Sequence, residues 1–342
     1  MSQVIVQVRR RGKTLIAVGL AVVLVLAGIA VIGNDYRLQR HDLTIRLGDQ
    51  RLNAVLTTPE TSRARGLVVM VHGDGPIDAT HGGLYLPWFE AAADAGYATL
   101  SWDKPGVGES SGNWLHQSMD DRAAQTSAVI DWATNQADVP SDRIVLWGAS
   151  QAGWVLPNVA ASRSDIDAVV AVSPAINWLR QGRYNLLAEL DHEGADAAER
   201  SAAIGCSNRT RALLKHHADY ATYKAQTCDP EPMTPDRWRF VSLNVASDAT
   251  ADLASMSAQA VPVLLLLAQH DRNVDIVDTE VTYRRLIGPD LSVEYFDATH
   301  SMARPIVEDC QVIGLVTGTL WPRALMAAGV LDSYRAYLDA LP

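Results

Sequence analysis

Arg143-Ile-Val-Leu-Trp-Gly148-Ala-Ser150-Gln-Ala-Gly153-Trp154 is the stretch on which the reading of this chain turns. Arg143–Trp147 is a compact apolar run of the kind that forms a strand buried on both faces. A helical pattern from about Gln151 to Ala161 follows it almost at once. A serine on such a sharp strand-to-helix turn is forced out of the sheet with its hydroxyl exposed. Its neighbours must be small because strand and helix backbones come close together there. The following helix points its first N–H groups at developing negative charge. The pattern is G-x-S-x-A, with Ala152 at the fifth position and Gly153 next. That departure weakens the motif taken alone, and the strand–turn–helix setting restores its weight.

Working outward, strand-like and helical segments alternate on both sides. His41–Leu47 and Leu52–Thr57 alternate as two strands, and Gly66–Val71 is a third, ending in the glycine-rich turn His72-Gly-Asp-Gly-Pro76. A helix over Leu84–Ala95, a strand over Tyr97–Trp102 and a long helix over Met119–Ala137 precede the central stretch, with Ser118 as N-cap. Ala168–Val172 follows as a strand. From about 177 to 255 the chain turns polar and helical, and the alternation resumes with Pro262–Ala268, Asp275–Leu286 and Leu291–Phe296. One or two helices close the chain from about Thr319 to Leu341. This order predicts an α/β fold: a mostly parallel, doubly wound sheet with helices on both faces. The 177–255 insertion is expected as a helical cap over the C-terminal edge of the sheet, where ligands bind in such folds.

A serine needs a base to become nucleophilic. Of nine histidines, His300 is the best placed: it follows the last predicted strand and comes after a candidate acid, the chain order this architecture uses. His270 and His72 also end strands and are the alternatives. The acid candidate is Asp271, just after the strand Pro262–Ala268, where a carboxylate can hold the imidazole tautomer. Asp275 and Asp278 stand nearby, with helix capping as their ordinary role. Catalytic Ser150, Asp271 and His300 would work with an oxyanion hole of backbone N–H groups, one from Gln151 and one from the turn at Gly73 and Asp74. His72 is expected to support that loop. Asp74 is unusual there, since its carboxylate would repel an oxyanion unless it points away.

With these pieces in view, the chain resembles the α/β-hydrolase superfamily over roughly residues 41–340. The His72-Gly-x-Gly-Pro76 loop, Asp103-Lys-Pro-Gly106-Val-Gly108 and the Ser150 elbow are similar to the dienelactone-hydrolase-like and prolyl-oligopeptidase-like branch. That resemblance implies an α/β-hydrolase fold and a Ser–His–Asp mechanism on a small-molecule acyl substrate. Such relatives include esterases, thioesterases, acyl transferases and peptidases, so the expected activity is carboxylic ester hydrolysis. A thioesterase or small aminopeptidase on the same triad is the alternative, and a non-catalytic binding protein on this scaffold is the other class.

Composition fills in the surroundings. Hydrophobic residues make up 48% and charged residues 20% of 342 residues, enough for a substantial core. The net charge is −10, and the only charges in residues 1–34 are the four cations Arg9, Arg10, Arg11 and Lys13, so the remainder is more acidic still. Nucleic acid is thereby excluded as a partner. The charge-free run Thr14–Ile32 is expected, within a segment 14–33, to form a transmembrane anchor, since about 19 residues would rise roughly 29 Å. Residues 1–13 would then be a basic cytoplasmic segment, 34–40 a tether, and 41–342 the hydrolase domain on the outer side. Secretion after leader cleavage is the alternative. Export permits a disulfide, and Cys206 and Cys228 could pair, leaving Cys310. No metal constellation, phosphate loop or dinucleotide fingerprint is present in the sequence, so neither metal nor cofactor is expected.

Overall fold

The computed structural model of the chain describes residues 20, 21 and 23–342. Its eight strands are β1 (Leu38–Leu47), β2 (Gln50–Pro59), β3 (Leu67–Val71), β4 (Ala98–Trp102), β5 (Ile144–Ala149), β6 (Ala168–Val172), β7 (Val263–Ala268) and β8 (Leu291–Phe296). They form one sheet in the order β1-β2-β4-β3-β5-β6-β7-β8. The β1–β2 and β2–β4 pairs are antiparallel and the rest are parallel. β1 and β2 meet through a two-residue loop with Gly48 at φ 59°, a turn whose twist matches that of the strands it joins.

The inner strands read as unbroken apolar runs because both faces are covered. Val69, Leu146 and Leu265 pack into one hydrophobic layer, while Val68, Val145 and Leu264 pack into the other, as period-2 alternation requires. On the second face Trp88, from the helix Leu86–Asp94, lies between Trp147 of β5 and Tyr334 of the last helix, at 5.1 and 5.3 Å between ring centroids. Each such buried side chain is worth about 1.5–3 kcal/mol in transfer terms.

Between β6 and β7 the chain runs through five helices, from Trp178–His192 to Thr250–Ser257. They carry a small core of their own, centred on Tyr223 stacked on Trp238 at 4.1 Å. A Cys206–Cys228 disulfide ties the helix Ala197–Lys215 to the segment after Tyr220–Gln226, and Cys310 is free.

The order around β3 decides where a site can form. β4 lies on one side of β3 and β5 on the other, so the connections leaving the C-terminal ends of β3 and β5 diverge and open a crevice. The turn after β3 carries His72–Gly75 and the turn after β5 carries Ser150.

The expected transmembrane helix over 14–33 is corrected here. Among the described residues, no helix is long and apolar enough to cross a membrane. The helical run 23–33 stops at Gly33, whose carbonyl accepts from Arg323 Nη1 at 2.6 Å, and Asn34 Nδ2 donates to Thr319 O at 3.0 Å. Apolar composition suggested a span, whereas the end of the described helical residues is held against the C-terminal region of the same chain. Residues 14–19 and 22 of the expected span, and the basic segment 1–13, lie outside the described residues.

Candidate active site

Ser150 sits where β5 ends, at φ 55°, a left-handed conformation costly for a residue with a Cβ. The expected helix opens with a 3-10 turn, Ser150–Trp154, and becomes α-helical only at Leu156–Ser162. Pro157 in the first turn supports that start. The turn is pinned by Ala175 N donating to Ser150 O at 3.1 Å and Trp154 Nε1 donating to Ile176 O at 2.8 Å.

The glycine requirements explain the altered motif. A Cβ on Gly148 would lie 2.6 Å from Ala152 Cβ and 3.0 Å from the Leu156 methyls. One on Gly153 would strike Ala175 O and come within 2.7 Å of Ala175 N. The close backbone approach therefore falls at positions 148 and 153. Ala152, fully buried, fits because Gly148 opposite has no side chain.

The candidate acid and base meet as a pair. His300 Nδ1 is 2.8 Å from Asp271 Oδ2. Against a carboxylate that nitrogen is the donor, which leaves Nε2 free to accept. Asp271 Oδ1 accepts from Asn273 N and Val274 N, both at 2.8 Å, so the fully buried carboxylate side chain is held by three donors. The alternatives are engaged elsewhere. Asp275 caps the helix Ile276–Ile287 through Val277 N and Asp278 N, Asp278 pairs with Arg180 at 3.0 Å, and exposed His270 pairs with Asp297 at 2.7 Å. Ser150 and His300 line one cavity of about 930 Å³. Among the described residues Ser150 Oγ has no hydrogen-bond partner, a looseness common in ligand-free sites.

Gly73, Asp74 and Gln151 line the same cavity. A Cβ on Gly73 would lie 3.4 Å from Ser150 Cβ, so this loop runs directly beside the serine. Its carbonyls are pulled the other way: Arg122 Nη2 donates to His72 O at 2.5 Å and Lys104 Nζ donates to Gly73 O. In trans amides the next N–H points opposite to the carbonyl, which turns the N–H groups of Gly73 and Asp74 away from those cations. Neither N–H has a protein partner among the described residues. His72 hydrogen-bonds through Nε2 to Trp102 O at 2.8 Å and stacks on Tyr85. Burial, then the Lys104 charge, push its pKa down to about 3, so it is a neutral prop.

Sequence reasoning missed the cations. Arg122 also donates from Nη1 to Gln151 Oε1 at 2.6 Å. Its pKa is pushed down to about 10, by burial first, while burial and then the Arg122 charge hold the Lys104 ammonium well below its ordinary value. Arg237, from the helix Pro235–Asn244 of the insertion, grips Asp74 with two hydrogen bonds at 3.0 and 2.7 Å. Burial alone would raise the Asp74 carboxyl; the Arg237 bonds and charge outweigh it and hold the group low. A signal existed for Arg122: it shares the buried face of the helix Met119–Thr134 with Ala123, Thr126 and Ile130, an apolar phase in which a cation needs a reason. Lys104 and Arg237 carried no such signal.

A family model described as serine aminopeptidase, S33, matches residues 62–303. An uncharacterized 31.7 kDa protein from the traX-finO intergenic region of Escherichia coli is 31% identical over 114 residues, covering 33% of this chain; the chain spans only 38% of that relative's length. Among solved structures, the Pyrococcus furiosus esterase Pf2001 superposes with a TM-score of 0.53 at 18% identity, over 84% of this chain and 92% of that one. Est1E from Butyrivibrio proteoclasticus, with ferulic acid bound, gives 0.52 at 16%, over 87% and 96%. Likeness at that identity speaks to fold alone. The family match covers most of the chain, and it settles membership: this chain belongs to the serine aminopeptidase S33 family of α/β-hydrolases.

Proposed function

We propose that this S33-family hydrolase cleaves carboxylic esters through an acyl-enzyme, with Ser150 as nucleophile, His300 as general base and Asp271 as its orienting acid. The observation that carries the reading is the buried Asp271–His300 pair at 2.8 Å opening on the same cavity as a serine held at φ 55°. In the first step Ser150 Oγ attacks the ester carbonyl carbon and gives its proton to His300 Nε2. Asp271 stabilises the resulting imidazolium through Nδ1. Charge developing on the carbonyl oxygen is received by N–H groups of Gln151 and of the loop at Gly73 and Asp74, with His72 bracing that loop. Collapse expels the alcohol, protonated by His300. Water, deprotonated by the same imidazole, then attacks the acyl carbon and frees Ser150.

The preference for esters rests on the cavity wall. Trp88, Trp147, Trp154, Trp178 and Leu84 line it, surroundings suited to an acyl chain. Aminopeptidase action is a second reading, favoured by the family description and by the Glu308 carboxylate at the cavity, which could meet an α-ammonium group. The test is a fluorophosphonate probe together with p-nitrophenyl esters and aminoacyl anilides. Stoichiometric labelling lost in Ser150→Ala, with ester turnover exceeding anilide turnover, supports the proposal. Absence of labelling on folded protein overturns it, and preferential anilide cleavage installs the second reading.

A further inference from the structure

The segment between His300 and the last helix contains the helix Gln311–Leu320, which has no charged residue and buries none of its side chains. Val312 is 70% and Leu315 72% exposed. An apolar helix left in water is unstable unless another apolar phase covers it. Beside it lies the helical run 23–33, joined through Asn34 to Thr319 O and through Gly33, where a Cβ would collide with Leu320 O. That run exposes Leu24, Val25, Val31 and Ile32, each above 60%, so large parts of it are uncovered by this chain. Trp321, 41% exposed, ends the second helix. An amphipathic aromatic at that point suits a membrane–water boundary.

The same helix forms a wall of the Ser150 cavity. Gly314, Leu315, Gly318 and Thr319 line the cavity, and Leu315, lining it while still exposed, marks its rim. The cavity mouth therefore adjoins the uncovered apolar surface. We propose that the helices 23–33 and Gln311–Leu320 form a face that docks in the surface layer of a lipid bilayer without crossing it, and that long-chain acyl esters enter the Ser150 cavity from that layer. The proposal rests on the esterase reading for its substrate. Charge fits the occupant: the four cations Arg9, Arg10, Arg11 and Lys13 stand just upstream of this face in sequence, whereas the rest of the chain is acidic. An anionic bilayer would attract that end and repel the remainder, orienting the face toward the lipid.

The experiment uses the full chain with phosphatidylglycerol–phosphatidylcholine vesicles. p-Nitrophenyl palmitate is dissolved in the vesicles and p-nitrophenyl butyrate in the buffer, and wild type is compared with Val312→Glu/Val316→Glu. Both valines are exposed and neither lines the cavity. The expected result is roughly a tenfold or greater loss on the vesicle-borne ester, since two carboxylates must be carried into the lipid layer. Butyrate hydrolysis should stay within about twofold of wild type, which also reports folding. Brominated lipid should quench wild-type fluorescence, and Trp321→Phe should remove that component. A double variant that keeps wild-type activity on the vesicle-borne ester, or absence of quenching attributable to Trp321, overturns the proposal. Conversion of a dimer to monomers by the double variant, with quenching absent, assigns the face to a second copy instead. Failure of the wild type on butyrate together with absent Ser150 labelling would strike the esterase reading, while the quenching result would still decide docking.

Discussion

Asp271→Asn separates orientation of the base from stability of the fold. The carboxylate uses Oδ1 for two backbone N–H groups and Oδ2 for the imidazole, all at 2.8 Å. Asparagine has the same shape, and its oxygen can keep the two backbone bonds only if Nδ2 faces His300. Flipping the amide would set Nδ2 against two N–H donors, leaving buried groups unpaired at about 1–3 kcal/mol each. With Nδ2 facing Nδ1, the imidazole must carry its proton on Nε2, and that nitrogen can no longer accept from Ser150. Loss of the correct tautomer costs on the order of 10⁴ in kcat in serine proteases, about 5 kcal/mol of barrier. The stability loss should be near one charge-assisted hydrogen bond, about 1.5–3 kcal/mol. Steady-state hydrolysis of a p-nitrophenyl ester and chemical denaturation of the same preparation read the two quantities. A variant with wild-type kcat would refute the assignment of Asp271. So would a case in which Asp275→Asn, expected to remove only a helix cap, abolished activity.

Gly153→Ala should destabilise by about 3 kcal/mol or more, because its Cβ meets the backbone of Ala175 and backbone cannot yield as a side chain can; Ala152→Gly should stay within about 1 kcal/mol, and urea midpoints compare them. Arg237→Ala should lower kcat about tenfold with a smaller change in KM, as the Asp74 carboxylate is left unneutralised beside the proposed oxyanion donors, and Arg237→Lys should recover part of it. Buried neutral His72 makes stability pH-dependent: the unfolded imidazole takes a proton near 6.5 and the folded one only at about 3. The unfolded chain thus binds more protons across that window, so this contribution is complete above about pH 6.5 and lost as pH falls toward 3, visible as a falling denaturation midpoint that flattens in His72→Gln.

The architecture was legible because the inner strands are buried on both faces. Runs such as Leu264–Ala268 and Val68–Val71 have no polar residue to disguise their period, and each expected strand there falls within two residues of the observed one. The edge was harder: β1 begins at Leu38, before the expected His41, because its exposed side chains carry little signal. The helices Pro305–Asp309 and Gln311–Leu320 went unread since neither buries a side chain against the core; packing, which makes helical periodicity visible, is absent there. The N-terminal apolar run misled in the opposite sense: hydropathy alone suggested a span, whereas among the described residues no helix is long and apolar enough to cross a membrane.

Asp74 shows why the rest of the site lay beyond sequence reasoning. A carboxylate beside proposed oxyanion donors is a contradiction when the loop is read alone, and its resolution comes from residues distant in the chain. Arg237 reaches over from the insertion, Gln151 Nε2 donates to Asp74 Oδ1 at 3.2 Å, and Arg122 holds that same glutamine by its carbonyl. The negative charge is thus turned outward and neutralised while the loop N–H groups stay unpaired. It follows that the insertion completes the electrostatics of the site as well as roofing it. Under the proposed mechanism, a movement that withdraws the helix Pro235–Asn244 would expose the Asp74 charge next to Ser150 and weaken the stabilisation of a developing oxyanion, tying the position of the insertion to catalysis.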